Sequence, residues 1–222
     1  MAAVEIIDVH GGQARSQLIL GARGVTLVDT GSDIRARAIA AALASVGFGL
    51  RDIRLIVLTH GDGDHLAGAH LLQDESGADV LTHELEVEYV LGRLPARFPI
   101  AKRAFHFLSR RLPRPRVTRQ MSGPRLVIGD IEIVHTPGHT PGHLVVYAGD
   151  ALCAGDAFRT GYRFTEVPSL MTVDRAMSRT TIRMLAGRAV IRAYSGHGPP
   201  SHAAAERLRD LADRLPGERR TP

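Results

Sequence analysis

Thr59-His60-Gly61-Asp62-Gly63-Asp64-His65 sets four potential metal ligands, His60, Asp62, Asp64 and His65, within six residues. The apolar run Leu55-Ile56-Val57-Leu58 directly precedes it and reads as a buried strand. Leu66-Ala67-Gly68-Ala69-His70-Leu71-Leu72 follows and reads as the first turns of a helix. A strand that ends by lifting imidazoles and carboxylates into the loop above a sheet is a common way for α/β proteins to build a site.

Other strand ends repeat the pattern. Ile131-Glu132-Ile133-Val134 leads into His135-Thr136-Pro137-Gly138-His139-Thr140-Pro141-Gly142-His143. Ala151-Leu152-Cys153-Ala154 leads into Gly155-Asp156, and Val190-Ile191-Arg192-Ala193-Tyr194 into Ser195-Gly196-His197-Gly198. Loops rich in Gly and Pro hold ligands at fixed distances, and Gly removes side chains that would obstruct a metal or substrate.

Periodicity and breakers predict further strands over 16–20, 24–29, 78–83, 125–128, 131–135, 143–147, 151–154 and 190–194. Helices are predicted over 34–46, with Asp33 as N-cap, and over 84–91, 100–112, 172–186 and 202–215. The tail 216–222 is predicted to fray. No low-complexity linker divides the chain, so residues 1–222 read as one domain of two packed sheets with helices outside.

The ordered motifs resemble those of the metallo-β-lactamase superfamily. They are Val28-Asp29-Thr30-Gly31, then the His-x-Asp-x-Asp-His run at 60–65, Thr136-Pro137-Gly138-His139-Thr140, Gly155-Asp156 and Gly196-His197-Gly198. The resemblance implies an α/β fold, a four-layer αββα sandwich of two mixed β-sheets flanked by helices. It also implies two divalent metal ions, zinc foremost, with manganese or iron as alternatives. His60, Asp62 and His139 would hold the first ion, and Asp64, His65 and His197 the second. Asp156 and a hydroxide would bridge the two, and Asp64 would orient that hydroxide as the catalytic carboxylate. Asp29 would pin neighbouring loops by hydrogen bonds. His143 is expected to support the site rather than ligate.

Position 62 departs from the common family pattern, which has His there. With Asp62, Asp64 and Asp156 ionised, two divalent cations and one hydroxide give a neutral centre. Such a centre is a weaker Lewis acid and more tolerant of oxygen-preferring metals.

The expected activity is metal-dependent hydrolysis of an ester, thioester or lactone of a small, anionic substrate. The alternatives are a phosphodiesterase or nuclease acting on nucleic acid, and a non-catalytic metal-binding or redox protein on the same fold. The first lacks a second domain to grip nucleic acid within 222 residues, and the second lacks a flavin-binding half.

Composition bounds the rest. The net charge is +5, with one Lys, Lys102, and no Asn, an Arg bias that reads as a GC-rich genome. The basicity is local: residues 89–124 carry nine basic side chains and no acidic one. This basic helical insertion, at about 84–122, reads as a lid carrying Phe98, Phe105 and Phe107, as a phosphate-binding or lipid-contacting surface, or as a plain solvated insertion. Arg159, Tyr162 and Phe105 are candidate substrate contacts. No apolar run approaches the roughly 20 residues of a membrane span. The single cysteine, Cys153, and the absence of a secretory leader point to the cytoplasm.

Overall fold

The computed structural model describes residues 4–22, 24–93 and 99–216, with the side chains of Phe105 and Leu108 outside the described part. Phe98 and the tail 217–222 also lie outside it.

Two mixed sheets form the centre. The first has six strands in chain order: β1 (Glu5–His10), β2 (Arg15–Gly21), β3 (Gly24–Val28), β4 (Ile53–Val57), β5 (Asp79–His83) and β6 (Arg119–Met121). β1–β3 pair antiparallel, and β3–β6 pair parallel. The second runs β11-β10-β9-β8-β7, from β7 (Arg125–Ile128), β8 (Ile131–His135), β9 (Leu144–Ala148), β10 (Ala151–Cys153) and β11 (Arg192–Tyr194). Only its β10–β11 pair is parallel.

The side-chain period of two along a strand divides the core into three layers. Leu55 and Val57 of β4 meet Ile133, Leu144 and Val146 between the sheets. Ile56 and Leu58 point the other way, against Ile39 and Leu43 of α1 (Arg37–Ser45) and Leu72 of α3 (Ala69–Ser76). On the far side, Val145 and Tyr147 of β9 pack with Ile182 and Leu185 of α6 (Arg175–Ala186) and Leu208 and Leu211 of α7 (Ala204–Arg214). The order is helix, sheet, sheet, helix. The central strands are buried on both faces, which is why they read as continuous apolar runs.

Two strands escape the sequence reading, β1 and β6, at the two edges of the first sheet. β6 has three residues, and its strand character comes from pairing with β5. Its place in the sheet returns the basic segment to the core at Arg119. The Asp33 expectation is corrected. α1 begins at Arg37, and Ala36 before it adopts a left-handed φ of 48°. Asp33 instead accepts the amides of Arg35 (3.0 Å) and Arg37 (3.2 Å) and holds the turn that leads into the helix. Within the basic segment lie a short helix α4 (Val87–Val90) and the longer α5 (Ile100–Ser109). No described helix is long and apolar enough to cross a membrane.

Candidate metal centre

The ligand-type residues follow the ends of β3, β4, β8, β10 and β11, and backbone bonds tie these loops together at one edge of the sandwich. Leu144 N–H donates to Thr59 C=O (2.9 Å), Thr30 N–H to His65 C=O (2.7 Å) and Gly196 N–H to Gly155 C=O (2.7 Å). Asp64 and His65 lie in the single turn α2 (Gly63–Leu66). The approach is close enough to require glycine at Gly196, where a Cβ would stand 2.3 Å from His65 Cε1 and 2.6 Å from Asp156 Oδ1.

Two clusters result. His60, Asp62 and His139 gather on one side, and Asp64, His65 and His197 on the other, each with its ligand atoms within 4.8 Å of one another. Asp156 lies between them. Its Oδ1 is 3.4 Å from His65 Nε2, and its Oδ2 is 3.5 Å from His197 Nε2 and 3.7 Å from His139 Nε2. All seven expected ligands are therefore brought together. The first cluster is shut off from solvent, whereas His197 is 23% and Asp64 11% exposed at their side chains.

The second cluster fits a metal. Asp29 accepts from Thr59 N–H (2.8 Å) and Thr59 Oγ1 (2.7 Å) and pairs with His65 Nδ1 at 2.7 Å. That leaves His65 Nε2, which has no hydrogen-bond partner among the described residues, aimed into the cluster. Asp156 Oδ1 is likewise unpartnered. A carboxylate behind a ligating imidazole is the usual support of a metal-bound His. Electrostatics agree: burial would lower the pKa of His65, yet Asp156, Asp29 and Asp64 raise it well above the ordinary value. A carboxylate field that stabilises an imidazolium also stabilises a divalent cation. Asp156 is held well below the carboxylate range despite burial, by His65, His139 and His197.

The first cluster is different, because a cation from the chain itself reaches it. Lys102 of α5 is fully buried and donates to Asp62 Oδ2 at 2.6 Å, His139 Nε2 at 3.0 Å and Met171 C=O at 3.3 Å. Tyr89 hydroxyl donates to the other Asp62 oxygen, Oδ1. Burial opposes the Asp62 charge, but Lys102 together with His139 and His60 outweighs it, and the carboxyl is held well below its usual range. Burial, and Lys102 after it, depress His139 to about 3, so its Nε2 presents a lone pair. Both Asp62 oxygens and His139 Nε2 thus already carry a hydrogen bond, and His60 Nε2 and His139 Nδ1 are the cluster's atoms without a hydrogen-bond partner among the described residues.

Sequence reasoning missed Lys102, Tyr89 and Glu86. Glu86 is buried and accepts Gly61 N–H (3.1 Å) and Gly142 N–H (2.9 Å), joining the two ligand loops, and burial raises its pKa. The one signal in the sequence was that Lys102 is the single Lys among many Arg. His143 supports, as expected: its Nε2 accepts Asp156 N–H (3.0 Å), and its Nδ1 is 2.9 Å from Thr136 Oγ1. Cys153 is buried between the sheets.

The substrate candidates are dispersed. Arg159 pairs with Thr165 across a small hairpin beside the His197 loop, where Thr160 N–H donates to Ser195 Oγ at 3.0 Å. Tyr162, on that hairpin, is 92% exposed. Phe105 is on α5, with its side chain outside the described part. Phe107 faces solvent and carries the Arg110 guanidinium over its ring, so it does not cover the site.

Comparison with known proteins agrees with this geometry. Residues 11–219 match the model of the metallo-beta-lactamase superfamily. The probable metallo-hydrolase YflN of Bacillus subtilis is 29% identical over 189 residues, covering 73% of this chain and 72% of the relative. The hydroxyacylglutathione hydrolase GloC of Haemophilus influenzae is 27% identical over 122 residues, 50% of this chain and 55% of that protein. The crystal structure of TTHA1623 in a di-iron-bound form superposes with a TM-score of 0.71 at 23% identity, covering 91% of this chain and 96% of that one. A match across nearly the whole sequence, over a fold that gathers its imidazoles and carboxylates at one edge, makes the chain a member of the metallo-beta-lactamase superfamily.

Proposed function

We propose that the protein is a metal-dependent hydrolase that cleaves an ester, thioester or lactone of a small, anionic substrate. The observation that carries this reading is the second cluster. Asp64, His65 and His197, with Asp156 beside them, offer two buried ligand atoms, His65 Nε2 and Asp156 Oδ1, that make no hydrogen bond among the described residues, next to a solvent-facing edge. A divalent ion held by these side chains would acidify water and polarise a carbonyl. The protein's own groups do the rest. The Asp29 carboxylate holds the His65 ring in one orientation through Nδ1. Asp64, with Oδ2 3.4 Å from His197 Nε2 and its side chain partly open, is suited to orient the attacking water and take its proton.

A cavity of about 210 Å³ adjoins Asp64, lined by Gln13, Ser32, Gly63, Ala67, Ser109 and Leu112. Exposed Arg103, Arg110 and Arg111 near α5 favour an anionic substrate. The likeness to a hydroxyacylglutathione hydrolase supports a thioester as the first compound to try. Arg159, Tyr162 and Phe105 are the proposed substrate contacts.

The test is a panel assay on metal-quantified protein: an aryl ester, a glutathione thioester, an acyl-homoserine lactone, a cephalosporin and a bis-aryl phosphodiester, each with Asp64→Ala as control. Turnover of a carboxylic ester or thioester, lost by at least about 100-fold in Asp64→Ala, is expected. Activity unchanged by that substitution would move the reaction elsewhere. Turnover of the phosphodiester alone would favour the nuclease reading.

A further inference from the structure

We infer that the Lys102 ammonium takes the place of the first metal, so that this chain binds a single divalent ion, at Asp64, His65, His197 and Asp156. The inference rests on the metallo-hydrolase reading above and replaces the two-ion pattern expected from the motif.

A structural or catalytic zinc needs at least three protein ligands with free lone pairs. In the first cluster the ammonium sits against Asp62 Oδ2 and His139 Nε2, where a metal would have to sit, and Tyr89 holds the other Asp62 oxygen; with His139 Nε2 accepting, its ring proton falls on the unpartnered Nδ1, so His60 Nε2 is the imidazole lone pair left over. The three N–H donors of the ammonium meet three acceptors, the carboxylate, the imidazole and Met171 C=O. Its positive charge balances Asp62 without a metal. A second cation at hydrogen-bond distance from the same atoms would meet direct repulsion in a buried site.

Residue choice points the same way. Wherever a solvated cation suffices, this chain uses Arg; its one Lys stands among the ligands. An ammonium is a compact point charge with three rotatable donors, which suits three acceptors in different directions better than a rigid planar guanidinium fork. Asp62 completes the pair. A His at this position, common in the family, would leave Lys102 without its carboxylate. The departure at position 62 and the lysine on α5 are therefore one device. Its placement is fixed by Gly63, where a Cβ would stand 2.4 Å from Ser109 Cβ, so α5 docks directly on the ligand loop.

The experiment counts metal. Full-length protein purified from zinc-supplemented medium is dialysed and its zinc measured by mass spectrometry, for the wild type and for the double variant Asp62→His/Lys102→Met. That double change removes both charges together, so neither is left buried alone. About one zinc per wild-type chain and about two in the double variant are expected. Two in the wild type would overturn the inference while leaving the hydrolase reading intact. None in the wild type would overturn both. One in a folded double variant would show that Lys102 is not what excludes the second ion.

A second readout needs no variant. Because Lys102 is the single lysine, reductive methylation followed by peptide mass spectrometry reports on it alone among side chains. It is expected to stay unmodified in native protein with or without excess zinc, and to react fully in urea. Reaction provoked by excess zinc in the folded protein would mean that metal displaces the ammonium, and would overturn the inference.

Discussion

Asp29 shows how one side chain can govern a site it does not enter. Its backbone adopts a left-handed φ of 54°, a conformation that Asp tolerates better than most residues, and its carboxylate is held by the backbone and hydroxyl of Thr59 as well as by His65. Through Thr59 the same contacts extend to His60, whose Nδ1 is 2.8 Å from Thr59 Oγ1. Asp29→Asn keeps the shape but loses the charge and one acceptor. Zinc affinity, measured by competition with a chromogenic chelator, is expected to fall about 10- to 100-fold. Unchanged affinity would remove His65 from the ligand set.

Among the elements, α6 anchors the His139 loop. Val173 N–H donates to His139 C=O (3.0 Å) and Asp174 N–H to Gly138 C=O (2.9 Å), just before the helix. Asp174 then caps it by accepting Met177 N–H at 2.9 Å. Glu166 braces this first turn through Arg179 (2.8 Å) and Arg175 (3.2 Å). Partial burial raises the Glu166 pKa, but the two guanidinium groups bring it net below the ordinary 4.5. A carboxylate with a depressed folded pKa stabilises the native state above its unfolded pKa, and loses that contribution as pH falls through the folded value. Glu166→Gln should therefore cost about 0.5–1 kcal/mol in urea denaturation at neutral pH. The gap from wild type should close only below pH 4.5. A gap independent of pH would show that packing, not charge, holds this corner.

α5 was legible in the sequence only in part. The helix itself was legible from its spacing, and its boundaries hold within three residues of the predicted 100–112. Its orientation was not. A basic amphipathic helix ordinarily turns every cation to water, and here Arg103 does so while Lys102 next to it is fully buried.

Over the whole molecule, the net charge of +5 is concentrated in one segment, and Arg103, Arg110, Arg111 and Arg116 are exposed there. Such a patch steers anions towards its neighbourhood and is screened by salt. For an anionic thioester, kcat/KM should fall about 3- to 10-fold between roughly 0.01 M and 0.3 M salt, while a neutral ester of the same acyl group should change little. Equal behaviour of the two substrates would assign the Arg face no part in capture.

The amino-acid sequence by itself determined the layered sandwich and the positions of the seven ligand-type residues. The sheets are written in apolar runs of strand length, four of which end in Gly- or Pro-rich loops with His or Asp, and the choice of seven candidate ligands among those residues follows from the resemblance to a family's ordered motifs. Only the tertiary structure decided what surrounds those residues. Lys102 meets Asp62 across 40 positions, and Glu86 joins Gly61 and Gly142 across 25 and 56. β6 becomes a strand through β5, 38 positions away in register. Local sequence fixes which residues could ligate. Whether a ligand atom is free or already held by a cation depends on where a distant helix docks, and that is set by the packed chain alone.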